Sequence, residues 1–173
     1  MNYAVLLRGI NVGGINIKMA DLREALISAG FRDVRTVLAT GNVLLESGLT
    51  GPETKARIEK TLADRFGYEA WVIVLTPPAL RSVVQRYPFD PERDGWHPYV
   101  IFGSDARHRA ELLDAADALD PAVERVERGE GVVYWEVVKG RTTDSPFGKS
   151  TTKTRYKPTI TTRNLRTLGK MLS

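Results

Sequence analysis

The sequence predicts a mixed α/β (α+β) fold in two successive halves, each a series of short strands alternating with amphipathic helices. Three observations carry this. Apolar runs at Tyr3–Leu7, Trp71–Leu75, Tyr99–Phe102 and Val132–Val138 have the length of strands rather than helices. Between them, apolar residues recur at the three- and four-residue steps of a helix face. Glycine-containing tracts then join neighbouring β-rich runs, at Gly41-Asn42 and at Gly129-Glu130-Gly131, as tight hairpins require.

The first half opens with a buried strand, Tyr3–Leu7. It runs into Arg8-Gly9-Ile10-Asn11-Val12-Gly13-Gly14, and a helix follows with Met19, Leu22, Leu26 and Ala29 on one face. Gly30 stops that helix in a left-handed conformation, and Phe31 is placed to pack on its last turn. Val34–Leu38 and Val43–Glu46 read as the two strands of a hairpin across Ala39-Thr40-Gly41-Asn42. Thr50 caps a second helix; Pro52 sits in the first turn, where no N–H is missed, and Glu53 completes a capping box. Ile58, Leu62 and Phe66 form its buried stripe, and Gly67 ends it. Trp71–Leu75 is apolar on both faces and reads as a central strand covered on both sides, or one at a seam. The order βαββαβ is that of a ferredoxin-like half.

Thr76-Pro77-Pro78 starts a short helix carrying Leu80, Val83, Val84 and Tyr87, which places the first half at 1–87. A connecting loop over 88–98, rich in charge and proline, leads to a second half at 99–173. That half has strand Tyr99–Phe102, then a helix capped by Ser104-Asp105 with Leu112, Leu113, Ala116 and Leu119 inward, broken at Asp120-Pro121. Paired strands Val123–Glu127 and Val132–Val138 follow. Lys139–Lys157 is a loop or a broken helix, and a last helix begins at Thr161 or Thr162 with Leu165, Leu168 and Leu172 packed. The second half therefore reads βαββα, an incomplete ferredoxin-like copy without its final strand.

Composition narrows the classes of function. A chain of 173 residues with 42% hydrophobic content can bury a substantial core. No run approaches the roughly 18 apolar residues of a membrane span. Tyr3–Leu7 is also too short for the apolar core of a secretory signal and lacks its basic flank. Without cysteine there is no disulfide framework, no thiolate nucleophile and no zinc site of the usual kind. The expectation is a cytoplasmic protein with no membrane partner, no metal and no cofactor. Charge is more telling. Residues 139–173 hold nine of the 25 Lys/Arg and a single acid, Asp144, a net +8 that leaves residues 1–138 at −4. A basic segment on an acidic body points to a phosphate-bearing partner, or else to a solvated basic tail.

Four motifs stand out: Arg8-Gly9-Ile10-Asn11-Val12-Gly13-Gly14, Met19-Ala20 with Leu22-Arg23, Thr40-Gly41-Asn42, and Thr161-Thr162-Arg163-Asn164-Leu165-Arg166-Thr167. Together they resemble the bacterial family called domain of unknown function 1697, along the whole chain. The resemblance implies an α/β fold with two ferredoxin-like halves and no assigned activity.

The strand, glycine-rich loop and helix over 3–29 form an arrangement that aims backbone N–H groups and a positive helix end at an anion. The loop's spacing is not the dinucleotide fingerprint, and its glycines and Asn11 equally suit a tight crossover. Arg8, directly after Val5-Leu6-Leu7, emerges at a sheet's end and suits a carboxylate or phosphate. Thr161, Thr162, Arg163 and Asn164, read as a helix start, make a second anion-binding element, or else a cap with Arg163 bridging to acids. Asn42 belongs mainly to a turn, with its amide near the same rim. Gly148-Lys149-Ser150-Thr151 has the end of a P-loop without its beginning, since Thr143 stands where the first glycine is needed. Lys149 and Lys153 remain general phosphate contacts on a basic loop.

The catalytic inventory is thin. His97 and His108 match no metal or triad spacing, and Asp114 and Asp117 lie on an exposed helix face. Tyr134 or Ser150 are the nearest groups for proton transfer, so catalytic residues are unassigned. Tyr134 and Trp135 are stacking platforms for RNA or ordinary core residues. The sequence therefore predicts a binder of a phosphate-bearing, nucleotide-like ligand. Its ligand residues are Arg8, Gly9, Asn11, Gly13, Gly14, Asn42, Thr161, Thr162, Arg163 and Asn164, from the 8–14 loop and the 161–167 helix start. The alternatives are an RNA-binding module using the basic segment, with Lys149 and Lys153, and a small enzyme of unassigned reaction.

Overall fold

The computed structural model of the chain describes residues 1–9 and 15–173. It divides into two compact units, Met1–Arg81 with Lys170–Ser173, and Ser82–Gly169. Among the described residues, eight strands form two four-stranded antiparallel sheets.

In the first unit, β1 (Asn2–Arg8), β2 (Arg32–Val37), β3 (Asn42–Glu46) and β4 (Trp71–Leu75) take the order β2-β3-β1-β4. Helices α1 (Met19–Ser28) and α2 (Gly51–Phe66) complete the split βαββαβ arrangement of a ferredoxin-like sheet. The period of two along β1 sends Tyr3, Val5 and Leu7 into one core with Leu22, Leu26, Ile58 and Leu62 from the helices. Ala4 and Leu6, on the opposite face, are also fully buried. Local chemistry sets the bounds of α2. Thr50 accepts from the Glu53 N–H, the Glu53 carboxylate accepts from the Thr50 N–H, and Pro52 lies in the first turn. Gly67 closes the helix at φ 71°, where an L side chain would be strained.

The predicted hairpin is present: β2 and β3 pair antiparallel, joined by Leu38–Gly41. Asn42 is the first residue of β3 rather than a turn residue. Strand β4 differs from expectation. It lies at an edge of its sheet, not at the centre. An apolar run can occupy an edge here because α2 occupies the exposed backbone groups: Glu59 accepts from the Val72 N–H at 3.1 Å and the Lys55 ammonium donates to the Val72 carbonyl.

The second unit holds β5 (Trp96–Gly103), β6 (Glu124–Arg128), β7 (Val132–Val138) and β8 (Ile160–Asn164) in the order β6-β7-β5-β8. Helices α4 (Ala106–Asp114) and α5 (Pro146–Thr151) stand in the two crossovers. The remaining helices are α3 (Pro77–Gln85), which follows β4 in the chain, and α6 (Leu165–Leu172), which follows β8. The second half is therefore a complete βαββαβ, not an incomplete βαββα, because residues 160–164 supply the strand that periodicity alone assigned to a helix. Asp105 caps α4 by accepting from the Arg107 N–H. Ile101, Val133, Trp135, Val137 and Ile160 meet Leu112, Phe147 and Tyr156 in the unit's core. Among the described residues, no helix is long and apolar enough to cross a membrane.

Candidate anion site at the end of strand β1

Arg8 is the last residue of a central strand, so the sheet fixes its backbone from both sides. On one side it pairs directly with Trp71 of β4. On the other, the Leu7 N–H donates to the Gly41 carbonyl at 2.8 Å, which ties the β2–β3 connection to this end of β1. Gly9 follows at φ 77°, a conformation that glycine reaches without steric cost. The Arg8 side chain shares its face with Ala4 and Leu6 and is half-buried. Its Nε is buried with no hydrogen-bond partner among the described residues, and no carboxylate there forms an ion pair with it. Burial pushes the guanidinium pKa down, with no opposite charge to restore it. A guanidinium still keeps its proton. Asn11, Gly13 and Gly14 lie outside the described residues.

Asn42 is buried, and its amide is committed. Nδ2 donates to the Val37 carbonyl at 2.9 Å and to Thr40 Oγ1 at 2.8 Å, clamping the hairpin connection. A cavity of about 300 Å³ within the first unit opens at the other end of β1, beside Asn2, Arg35 and Arg81, and holds none of the candidate residues.

The remaining candidates lie in the second unit, and there the expected helix start is corrected. Thr161, Thr162, Arg163 and Asn164 form a strand, with Thr161 and Arg163 buried on one face and Thr162 and Asn164 half-buried on the other. Pairing with β5, Val100 opposite Arg163 and Ile101 opposite Thr162, imposes that alternation. The helix begins one step later. Asn164 Oδ1 accepts from the Arg166 N–H at 2.9 Å, so Asn164 caps α6. The threonine hydroxyls therefore do not face a helix N-terminus. Arg163, 8% exposed, donates from Nη1 to Thr161 Oγ1 at 2.6 Å and to the Thr162 carbonyl at 3.0 Å.

Gly148-Lys149-Ser150-Thr151 lies within α5, capped by Ser145. A Cβ on Gly148 would stand 2.0 Å from the Thr142 carbonyl oxygen, so close packing explains this glycine. Ser150 and Thr151 turn their hydroxyls onto the Phe147 and Gly148 carbonyls at 2.7 Å. Nothing in this geometry cradles a phosphate. Lys149 and Lys153 are exposed. Tyr134, 3% exposed, donates to the Val83 carbonyl at 2.7 Å, and Trp135, 1% exposed, donates to Glu124 Oε1 at 3.1 Å. Both are core residues, not stacking platforms. His97 is half-buried, with its pKa pushed down by burial and then by Lys139 and Arg166. His108 Nδ1 shares a 2.6 Å hydrogen bond with Thr159 Oγ1.

Two features escape the sequence reading. Glu136, almost wholly buried, receives Arg93 at 3.0 Å and the Arg125 Nε at 2.7 Å on Oε2, while Oε1 is buried without a partner among the described residues. Arg125 and Glu136 are directly opposed in the β6–β7 hairpin, one residue off the register that is symmetric about Gly129–Gly131, so the sequence alone did not pair them. Trp71 opposite Arg8 had no local signal either.

A split-βαβ sheet with an unpaired arginine closing its central strand defines an α/β scaffold with a candidate anion site. The family model described as "Protein of unknown function (DUF1697)" matches residues 1–134, and the chain belongs to that family. The matched region includes the 8–14 and 40–42 motifs but not 161–167. Among solved structures, the conserved bacterial protein SP0830 from Streptococcus pneumoniae is similar, with a TM-score of 0.79 and 22% identity over 99% of this chain and 98% of that one. At that identity the likeness shows the fold. No curated protein matches the chain.

Proposed function

We propose that the protein binds a phosphate-bearing small molecule through Arg8 and the loop that follows it. The observation that supports this reading is the half-buried guanidinium with an orphaned Nε and no neighbouring acid among the described residues. A buried donor left unpaired costs about 1–3 kcal/mol, more when charged. An oxyanion seated against the fork recovers that cost through charge-assisted, bidentate hydrogen bonds. Thr161, Thr162 and Arg163 are left out of this proposal, because they lie in strand β8 and not at a helix start, and Arg163 donates to Thr161 Oγ1 and to the Thr162 carbonyl.

The test is a calorimetric titration of inorganic phosphate and ribose 5-phosphate against the full chain and an Arg8→Ala variant. Binding by the wild type that falls at least tenfold in Arg8→Ala, with the ligand-free thermal midpoint unchanged or raised, supports the reading. Equal binding by the two proteins overturns it.

A second reading, contact with a nucleic-acid backbone, rests on the exposed lysines Lys139, Lys149, Lys153 and Lys157 of the second unit. None forms an ion pair among the described residues, whereas Arg141 pairs with Asp144 and Arg155 with Glu111. Affinity for short RNA would then fall steeply with salt as counterions are released. Titrations that stay flat at low salt end that reading.

A further inference from the structure

We infer that the ligand at Arg8 carries a planar ring next to its phosphate, as a nucleoside monophosphate does, and that Trp71 is the surface on which the ring stacks. The inference rests on the phosphate reading above and names the class of ligand within it. Arg8 and Trp71 are directly opposed residues of the antiparallel β1–β4 pair. Such residues project from one face of a sheet with their Cβ atoms about 5 Å apart. Trp71 is only half-buried, although the alternate residue Val72 is wholly in the core. It lies at the first position of an edge strand, so no further strand flanks it on its outer side.

The indole is also unspent. Among the described residues the ring contacts join Tyr87 with Phe89 and Tyr134, Tyr99 with His97 and Trp135, Trp135 with Phe147, and His108 with Tyr156. The cation–π contacts fall on Phe66, Trp96, Phe89 and Tyr156. Trp71 is in neither set, and the Arg8 guanidinium is not stacked on it. Its backbone is held firmly nonetheless, because Lys55 and Glu59 of α2 fasten the adjoining Val72 on its outer side. A rigidly placed aromatic beside an unpaired guanidinium matches a ligand whose ring and phosphate are separated by one ribose. The arginine would take the phosphate while the indole takes the base. Stacking is indifferent to base identity, so the site would discriminate nucleotide from sugar phosphate rather than one base from another.

The experiment compares AMP, UMP, ribose 5-phosphate and inorganic phosphate by calorimetry on the full chain, in the wild type and in Trp71→Leu and Trp71→Phe. Stacking strengthens binding by roughly tenfold. The wild type is therefore expected to bind AMP about tenfold tighter than ribose 5-phosphate, with UMP close to AMP. Trp71→Leu should narrow that gap to less than twofold, and Trp71→Phe should retain most of it. If ribose 5-phosphate and AMP bind the wild type equally well, the ring inference fails while the phosphate reading stands. If none of the four ligands binds, the phosphate reading fails and this inference with it. A preference for AMP that survives in Trp71→Leu assigns the ring to another surface and overturns the role of Trp71.

Discussion

Arg8 and Arg163 occupy similar places, near the end of a strand in a ferredoxin-like sheet, and have opposite fates. Arg163 has Thr161 two residues before it on the same face, and its guanidinium turns back onto that hydroxyl and onto the Thr162 carbonyl. Arg8 has Leu6 in the corresponding position, which offers no acceptor, and its Nε stays unpaired in the sheet's shadow. Residue type is therefore a poor guide to an anion site. The side chain two positions earlier gives Arg163 an acceptor within its own strand and gives Arg8 none.

The most drastic way to break the contrast is to give Arg8 the acceptor that Arg163 has. Leu6→Thr places a hydroxyl at a fully buried position and removes apolar volume, at an expected cost of about 2–4 kcal/mol in denaturant unfolding. If the new hydroxyl captures the guanidinium, phosphate affinity drops as in Arg8→Ala; retained affinity shows that an acceptor at this position does not govern Arg8.

Arg163→Met probes the other side. It removes the donor to the buried Thr161 hydroxyl and to the half-buried Thr162 carbonyl, and unfolding should register a loss of about 2 kcal/mol. Phosphate binding should be unaffected. A variant as stable as the wild type would show that those two bonds add little to stability.

Arg8→Ala is expected to do the reverse: stability within about 0.5 kcal/mol of the wild type or above it, because the removed group is a half-buried charge without a partner. A loss of several kcal/mol would instead reveal a structural arginine and remove the ground for a ligand.

The smallest effect sharpens what burial does to a weaker base. His97 meets burial and the nearby Lys139 and Arg166, all of which push its pKa down, and unlike an arginine it can surrender its proton. The unfolded chain then binds the proton more readily than the folded one, so stability is complete at neutral pH and falls as the pH drops below about 6.5. The thermal midpoint should decline between pH 7 and pH 5 more for the wild type than for His97→Gln. Identical slopes would show that His97 titrates as it does in the unfolded chain.

Much of the fold was legible because its signals are local. The capping box at Thr50 and Glu53 with Gly67 at the far end bounds α2 through hydrogen bonds spanning a turn, and the Gly129–Gly131 connection announces the β6–β7 hairpin from its own few residues. The Leu-rich faces of α1 and α2 needed only the helical period. Arg8 at the exit of an apolar strand could be read the same way. Residues 161–164 could not. Thr-Thr-Arg-Asn before a leucine-rich helix satisfies a capping pattern as readily as a strand, and only the partner β5, about 60 positions earlier, resolves it by pairing Val100 and Ile101 with Arg163 and Thr162. The edge position of β4 is of the same kind, since an apolar run looks central until α2 is seen to fasten Val72. So is the placement of Trp71 across from Arg8. The sequence by itself determined the elements whose stabilising contacts lie within a turn or a hairpin. The tertiary structure decided which strands are neighbours, and hence which side chains stand opposite one another, because strand register is set by partners remote in the chain.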